Sequence, residues 1–164
     1  MRRLGLGLGL VTLLAAGAAF AADVKIAGVH NCCPGCANGI RATLEGAGAT
    51  NITLNGREVG FSAEEAQKVV QTFFDAGYAG KVTGAKTPEP QGVKGVKGAT
   101  LKFSGVHLCC GACANAVNAA LAPIGKSDAK ARTETFTLTA AQEVEAAAVL
   151  KALRDAGFNA RVAK

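Results

Sequence analysis

Residues 24–29, Val24-Lys25-Ile26-Ala27-Gly28-Val29, alternate between apolar and polar side chains, the period of two that turns one face of a β-strand to a core. After a short loop the period lengthens, with Ile40 and Leu44 four residues apart on one face of a helix. Residues 51–54 and 58–61 return to strand character and are joined through Asn55-Gly56, which predicts a hairpin because both residues tolerate positive φ. Ser62-Ala63-Glu64-Glu65 has the form of a capping box, opening a second helix striped by Ala66, Val69, Val70 and Phe73. Ala76-Gly77 ends that helix, and residues 78–82 supply a last strand.

The same order then recurs. A strand at 100–106 precedes a helix around Val117 and Leu121, and hairpin strands follow at 129–131 and 135–138. Thr139-Ala140-Ala141-Gln142 caps a helix running to Asp155, and 158–162 closes the unit. The expected fold is α+β, two ferredoxin-like βαββαβ (split-βαβ) domains in tandem. The repetition extends to identity. Gly28-Val29-His30-Asn31-Cys32-Cys33-Pro34-Gly35-Cys36-Ala37-Asn38 matches Gly105-Val106-His107-Leu108-Cys109-Cys110-Gly111-Ala112-Cys113-Ala114-Asn115 at eight of eleven positions, offset by 77. Asp75-Ala76-Gly77-Tyr78 likewise matches Asp155-Ala156-Gly157-Phe158. Self-similarity on this scale marks duplication of a whole unit. Residues 84–98, rich in Pro and Gly and without apolar periodicity, read as a linker between domains at 22–83 and 99–164.

Residues 1–21 stand apart from this pattern. Arg2 and Arg3 precede an uncharged apolar run, and Ala19-Phe20-Ala21 satisfies the small-x-small cleavage rule, so the reading is a signal peptide with the mature chain starting at Ala22. An uncleaved anchor helix is the rival, but Gly5, Gly7, Gly9 and Gly17 and the small-residue exit favour cleavage. The expectation is a periplasmic or secreted protein, off the membrane once cleaved. Without Arg2 and Arg3, sixteen basic residues face twelve acidic ones, a net charge of +4. Those charges are scattered and Trp is absent, which argues against a nucleic-acid partner.

Every cysteine and every histidine of the chain lies in the two matching loops. They give His30, Cys32, Cys33 and Cys36 in one copy, and His107, Cys109, Cys110 and Cys113 in the other. Each Cys-x-x-Cys pair brings two sulfurs onto one turn, and Cys36 and Cys113 begin helices, where free N–H groups favour thiolate. Thiolates select soft or borderline ions such as Cu(I) and Zn(II). With a third sulfur from Cys32 or Cys109 and an imidazole, each loop has the donors of a tetrahedral site. Two other uses of the cysteines stand beside this one: a thiol–disulfide redox protein working through the Cys-x-x-Cys pairs, and inert bracing disulfides in an exported chain. No catalytic triad, phosphate loop or paired-carboxylate site is present, so the chain reads as a binding protein and not an enzyme.

The cysteine loop before a helix, the βαββαβ order and the closing Ala-Gly-Tyr or Ala-Gly-Phe resemble heavy-metal-associated domains, the modules of copper chaperones, mercury-binding periplasmic proteins and metal-transporting ATPases. The resemblance covers nearly all of the chain after residue 21 except the linker. It implies metal held by Cys33 with Cys36 and by Cys110 with Cys113, up to one ion per domain. The cargo would be Cu(I), Zn(II) or an Hg(II)-like ion, and the partner a metal transporter or metal-accepting protein. The chain departs from the family's Gly-Met-x-Cys pattern: Val29 and Val106 take the Met-like place, the loop is two residues longer, and His30 with Cys32 and His107 with Cys109 are added. The two sites either act independently or face each other and share an ion.

Overall fold

The structure is a computed structural model that describes residues 21–163, so the expected signal peptide, all but Ala21, lies outside the described residues. Each copy is one four-stranded antiparallel sheet with two helices. In the first, β1 (Ala22–Ala27) leads through the cysteine loop into α1 (Pro34–Gly46), followed by β2 (Thr50–Asn55), β3 (Glu58–Ala63), α2 (Ala66–Asp75) and β4 (Lys81–Thr83). The second comprises β5 (Lys97–Leu108), α3 (Gly111–Leu121), β6 (Lys126–Ser127), β7 (Thr133–Glu145), α4 (Ala146–Asp155) and β8 (Arg161–Val162). The strand orders β2-β3-β1-β4 and β6-β7-β5-β8 are the same, and compatible with two ferredoxin-like units. Among the described residues no helix is long and apolar enough to cross a membrane.

The helices form where apolar residues recur three and four apart. Cys36, Ile40 and Leu44 are the buried line of α1, and Cys113, Val117 and Leu121 that of α3. Each first-turn cysteine thus continues the stripe that packs its helix onto a sheet. Val24, Ile26, Phe61, Val70 and Phe73 fill the first core. Phe103, Phe136, Leu150, Leu153 and Phe158 fill the second, which also takes in Cys36 from the first copy.

Four expectations are corrected. Ser62-Ala63-Glu64-Glu65 does not cap α2: Ser62 and Ala63 belong to β3, the Ser62 hydroxyl donates to Asp23 Oδ1 at 2.7 Å, and Glu65 is the N-cap without a side-chain bond. Thr139-Ala140-Ala141-Gln142 lies inside β7, where Thr139 pairs with Thr100 and Lys126, and α4 begins only at Ala146. In both places ladder partners across the sheet outcompete a local cap. Residues 129–131 are not a strand, because Asn118 Nδ2 donates to the Ala129 carbonyl and the Ala129 N–H donates to Ser127 Oγ. Finally, Tyr78 and Phe158 do not start the closing strands of their own sheets. They pair with each other in an antiparallel bridge between the copies.

Residues 84–98 are strung between the copies and held at several points. The Lys86 backbone N–H donates to Gln67 Oε1 at 3.0 Å, Arg154 Nη1 donates to the Pro88 carbonyl at 2.6 Å, and the Ala146 N–H donates to the Val96 carbonyl at 2.9 Å. Val93 is buried in the second core, and Lys97 and Gly98 already belong to β5.

Candidate metal centre

The copies meet through the segments that follow α2 and α4. The Asn159 N–H donates to the Gly77 carbonyl at 2.9 Å, and the Ala79 N–H donates to the Gly157 carbonyl at 3.1 Å. Gly77 (φ +90) and Gly157 (φ +92) sit flush against the opposing cysteine loops. A Cβ on Gly77 would press on the backbone of Gly105 to His107, and one on Gly157 on that of Gly28 to His30. Only glycine combines this left-handed backbone with so close an approach. The contact is reciprocal, so each copy's closing segment seats the other copy's loop and brings both loops to one place.

Side chains complete the joint. Arg57, in the β2–β3 turn, donates to the Gly28 carbonyl at 2.8 Å and, across the interface, to the Ala156 carbonyl at 3.4 Å. Asn159 Nδ2 donates to the Phe74 carbonyl at 2.8 Å, and the Arg154 guanidinium lies over the Phe74 ring, 5.1 Å from its centroid. Single Arg and Asn residues carry no signal of this kind, and the sequence does not single out Arg57, Arg154 or Asn159. The near-repeat of Asp-Ala-Gly-Tyr and Asp-Ala-Gly-Phe was the available clue.

At this joint all six thiols converge. Cys36 and Cys113, both 0% exposed, form the inner pair with sulfurs 3.5 Å apart. Around them stand Cys32, Cys33, Cys109 and Cys110, which are exposed or half-buried and leave one side open to solvent. The shortest approach in the cluster joins the copies: Cys36 and Cys109 sulfurs lie 3.2 Å apart, closer than the 3.7 Å within either Cys-x-x-Cys pair. All six are free thiols. Four groups of three donors have their ligand atoms within 4.8 Å of one another: Cys33 with Cys36 and Cys109; Cys109 with Cys110 and Cys113; Cys32 with Cys33 and Cys110; and His30 with Cys32 and Cys113. Three of the four draw on both copies.

The histidines differ in what they touch. His30 stacks on Phe158 of the other copy with centroids 4.4 Å apart, and its Nε2 is buried with no hydrogen-bond partner among the described residues. His107 faces Tyr78 instead, whose hydroxyl oxygen is 3.2 Å from both ring nitrogens. Phe158 stands where Tyr78 stands in the other copy and has no hydroxyl to offer. One imidazole is therefore left free at the edge of the thiol cluster and the other is engaged. The structure brings seven of the eight expected site residues into close donor groups, and places His107 with Tyr78.

Burial lowers the affinity of both imidazoles for a proton, helped at His30 by Arg57 and at His107 opposed by Glu134. Folded-state values below 6.5 mean that the unfolded chain binds more protons at acid pH, so this stability is complete above 6.5 and is lost as pH falls through the lowered values. The melting temperature of the metal-free protein is expected to fall between about pH 7 and pH 5, and less steeply with His30→Asn and His107→Asn together. Parallel profiles for the two proteins would show that neither ring is buried at the joint.

Among the thiols, Cys110 is set apart. It is the N-cap of α3, where the nearby Cys113 backbone N–H favours the charged sulfur and brings it down to about 6, the thiolate at neutral pH. Burial and its donation to neighbouring sulfurs push Cys113 up. The sequence assigns the thiolate to the first-turn residues, and the two differ: burial at Cys36 is outweighed by hydrogen bonds that hold it below the usual thiol range, whereas Cys113 is raised. Iodoacetamide at about pH 7 should modify Cys110 first and Cys113 last, with the Cys110 rate falling as pH drops through about 6. Equal rates, followed by peptide mass spectrometry, would contradict that ordering.

No protein-family model, curated protein or solved structure matches the chain. The chemistry rests on the site itself. The donor set fits a thiophilic cation: six sulfurs without hard oxygen ligands, beside a buried ring nitrogen that lacks a partner.

Proposed function

We propose that this is an exported binding protein for a soft or borderline metal ion, sequestering it or passing it on, built from two divergent heavy-metal-associated, ferredoxin-like domains. The observation that carries the reading is the convergence of six free thiols, with sulfurs 3.2–4.0 Å apart, on one joint between the copies. Six thiols have no packing need to meet there, since apolar residues of similar size would seal a joint without leaving reducible sulfur at a surface. Cu(I) and Zn(II) suit such donors, and an Hg(II)-like ion shares their softness. A metal transporter or a metal-accepting protein is the matching partner, reached through the open side of the cluster, and no catalytic step is invoked.

A second reading, thiol–disulfide exchange, is favoured by the Cys36–Cys109 approach of 3.2 Å and by the ionised Cys110. It would run between the copies, not within the Cys-x-x-Cys pairs. Anaerobic purification with metal analysis and thiol counting separates the two. Bound Cu or Zn with six reduced thiols supports the first; metal-free protein with disulfides supports the second and sinks the first.

The histidines supply a further expectation. His30→Ala should weaken metal affinity by about 10–100-fold, the usual cost of losing a donor or its support at a metal site. His107→Ala should leave affinity nearly unchanged and lower the melting temperature, because its ring is spent on Tyr78. Equal losses of affinity would place both rings at the metal.

A further inference from the structure

The sulfurs do more than crowd together, because their close contacts sort into two sets of four, each joined by five contacts, that share the pair Cys36 and Cys113. Cys32, Cys36, Cys110 and Cys113 form one: Cys32 lies 3.7 Å from Cys36, 3.8 Å from Cys110 and 3.7 Å from Cys113, with Cys36–Cys113 at 3.5 Å and Cys110–Cys113 at 3.7 Å. Cys33, Cys36, Cys109 and Cys113 form the other: Cys109 lies 3.7 Å from Cys33, 3.2 Å from Cys36 and 3.5 Å from Cys113, with Cys33–Cys36 at 3.7 Å. The duplication exchanges the two sets, Cys32 for Cys109, Cys33 for Cys110 and Cys36 for Cys113, and the buried pair Cys36 and Cys113 belongs to both.

A tetrahedral ion with metal–sulfur bonds of about 2.3 Å holds its sulfurs about 3.8 Å apart, whereas a linear two-sulfur site at that bond length needs about 4.6 Å. Apart from the shorter Cys36–Cys109 approach of 3.2 Å, the contacts within each set lie at 3.5–3.8 Å, near the first figure. One close donor group, Cys109 with Cys110 and Cys113, lies within a single loop, but each set of four takes two sulfurs from each copy. Six thiolates with two of them bridging supply eight metal–sulfur bonds, the number that two four-coordinate ions require.

We propose, building on the metal-binding reading, that the chain holds two divalent thiophilic ions in a single thiolate-bridged centre across the two copies, with Cys36 and Cys113 as the bridging ligands. Binding releases the remaining thiol protons to solvent and moves no electrons; two dications against six thiolates leave a net charge of about −2. His30 stands beside the set containing Cys32 and Cys113, so the two positions are not equivalent.

Co(II), added alone to the reduced full-length mature chain under argon, tests this. The expected result is two Co(II) per chain with tetrahedral visible spectra. The electron paramagnetic resonance signal per cobalt should fall as the second ion enters, because bridging sulfur couples the spins. Cys33→Ser should then retain one ion with its full signal, whereas Cys36→Ser should lose the coupled form altogether. Circular dichroism shows whether each variant is folded, and Cys113→Ser repeats the second arm if Cys36→Ser is not. Two ions with additive, uncoupled signals, or one ion only, would overturn the shared centre while leaving metal binding intact. No uptake of Co(II), Zn(II) or Cu(I) by the reduced protein would overturn both.

Discussion

Gly77→Ala is expected to pull the two cysteine loops apart while leaving both sheets folded. The left-handed backbone at this residue alone costs a side chain about 1–2 kcal/mol. The larger effect is steric: the new methyl would lie 2.6 Å from the Gly105 carbonyl oxygen and 2.9 Å from the Val106 carbonyl carbon, and backbone cannot swing aside as a side chain can. The bridge between Tyr78 and Phe158 must open, and the sulfurs of Cys36 and Cys109 separate with it. Mild oxidation with diamide reports this directly. The parent chain should give a Cys36–Cys109 disulfide by peptide mapping, and Gly77→Ala should lose most of it with an unchanged far-ultraviolet spectrum. Gly157→Ala should behave alike, since it meets Gly28 and Val29 at 2.5 and 2.8 Å. Full cross-linking in either variant would rule out the reciprocal seating of the loops.

The second large effect lies in the core of the second copy. Phe103 is fully buried and stacks on Phe136 with centroids 5.1 Å apart. Truncating a core phenylalanine to alanine costs about 3–5 kcal/mol through lost burial and the cavity left behind. For a small domain that is a large share of its total stability. Because Cys36 packs into this same apolar cluster, the damage reaches the other copy: Phe103→Ala should expose the Cys36 thiol to alkylation as well as lower the urea midpoint. A destabilised protein whose Cys36 stays protected would mean that this cysteine is buried by its own copy.

How far these features could be read from the chain depended on how local their causes are. The helical stripes at Ile40 and Leu44 or Val117 and Leu121 report burial within one unit, and they were legible. The β2–β3 hairpin was also legible, although Gly56 and Arg57 form the turn between the paired Asn55 and Glu58. The helix starts were misread because Ser62 and Thr139 each had a competing partner across the sheet, and a four-residue signature does not register that competition. All six cysteines and both histidines were singled out by repetition and chemistry, and the structure gathers the six thiols and His30 into close donor groups. Their meeting in one place stood only as one of two alternatives, and spacing could not choose between them, because the meeting is set by two glycines far along each copy and by the backbone bonds they permit. The inequivalence of His30 and His107 likewise turns on one hydroxyl, present in Tyr78 and missing in Phe158.

The strand of chain that joins the copies has a consequence for dilution. A six-sulfur site assembled from two separate molecules would fall apart as protein concentration dropped, giving up its ions by mass action. Here Pro88, Val93 and Val96 fix the connection along its course, so the second loop is presented at an effective concentration set by geometry alone. Assembly of the six-sulfur site should then be independent of how scarce the protein is, leaving the affinity for the ion as the only quantity that dilution tests.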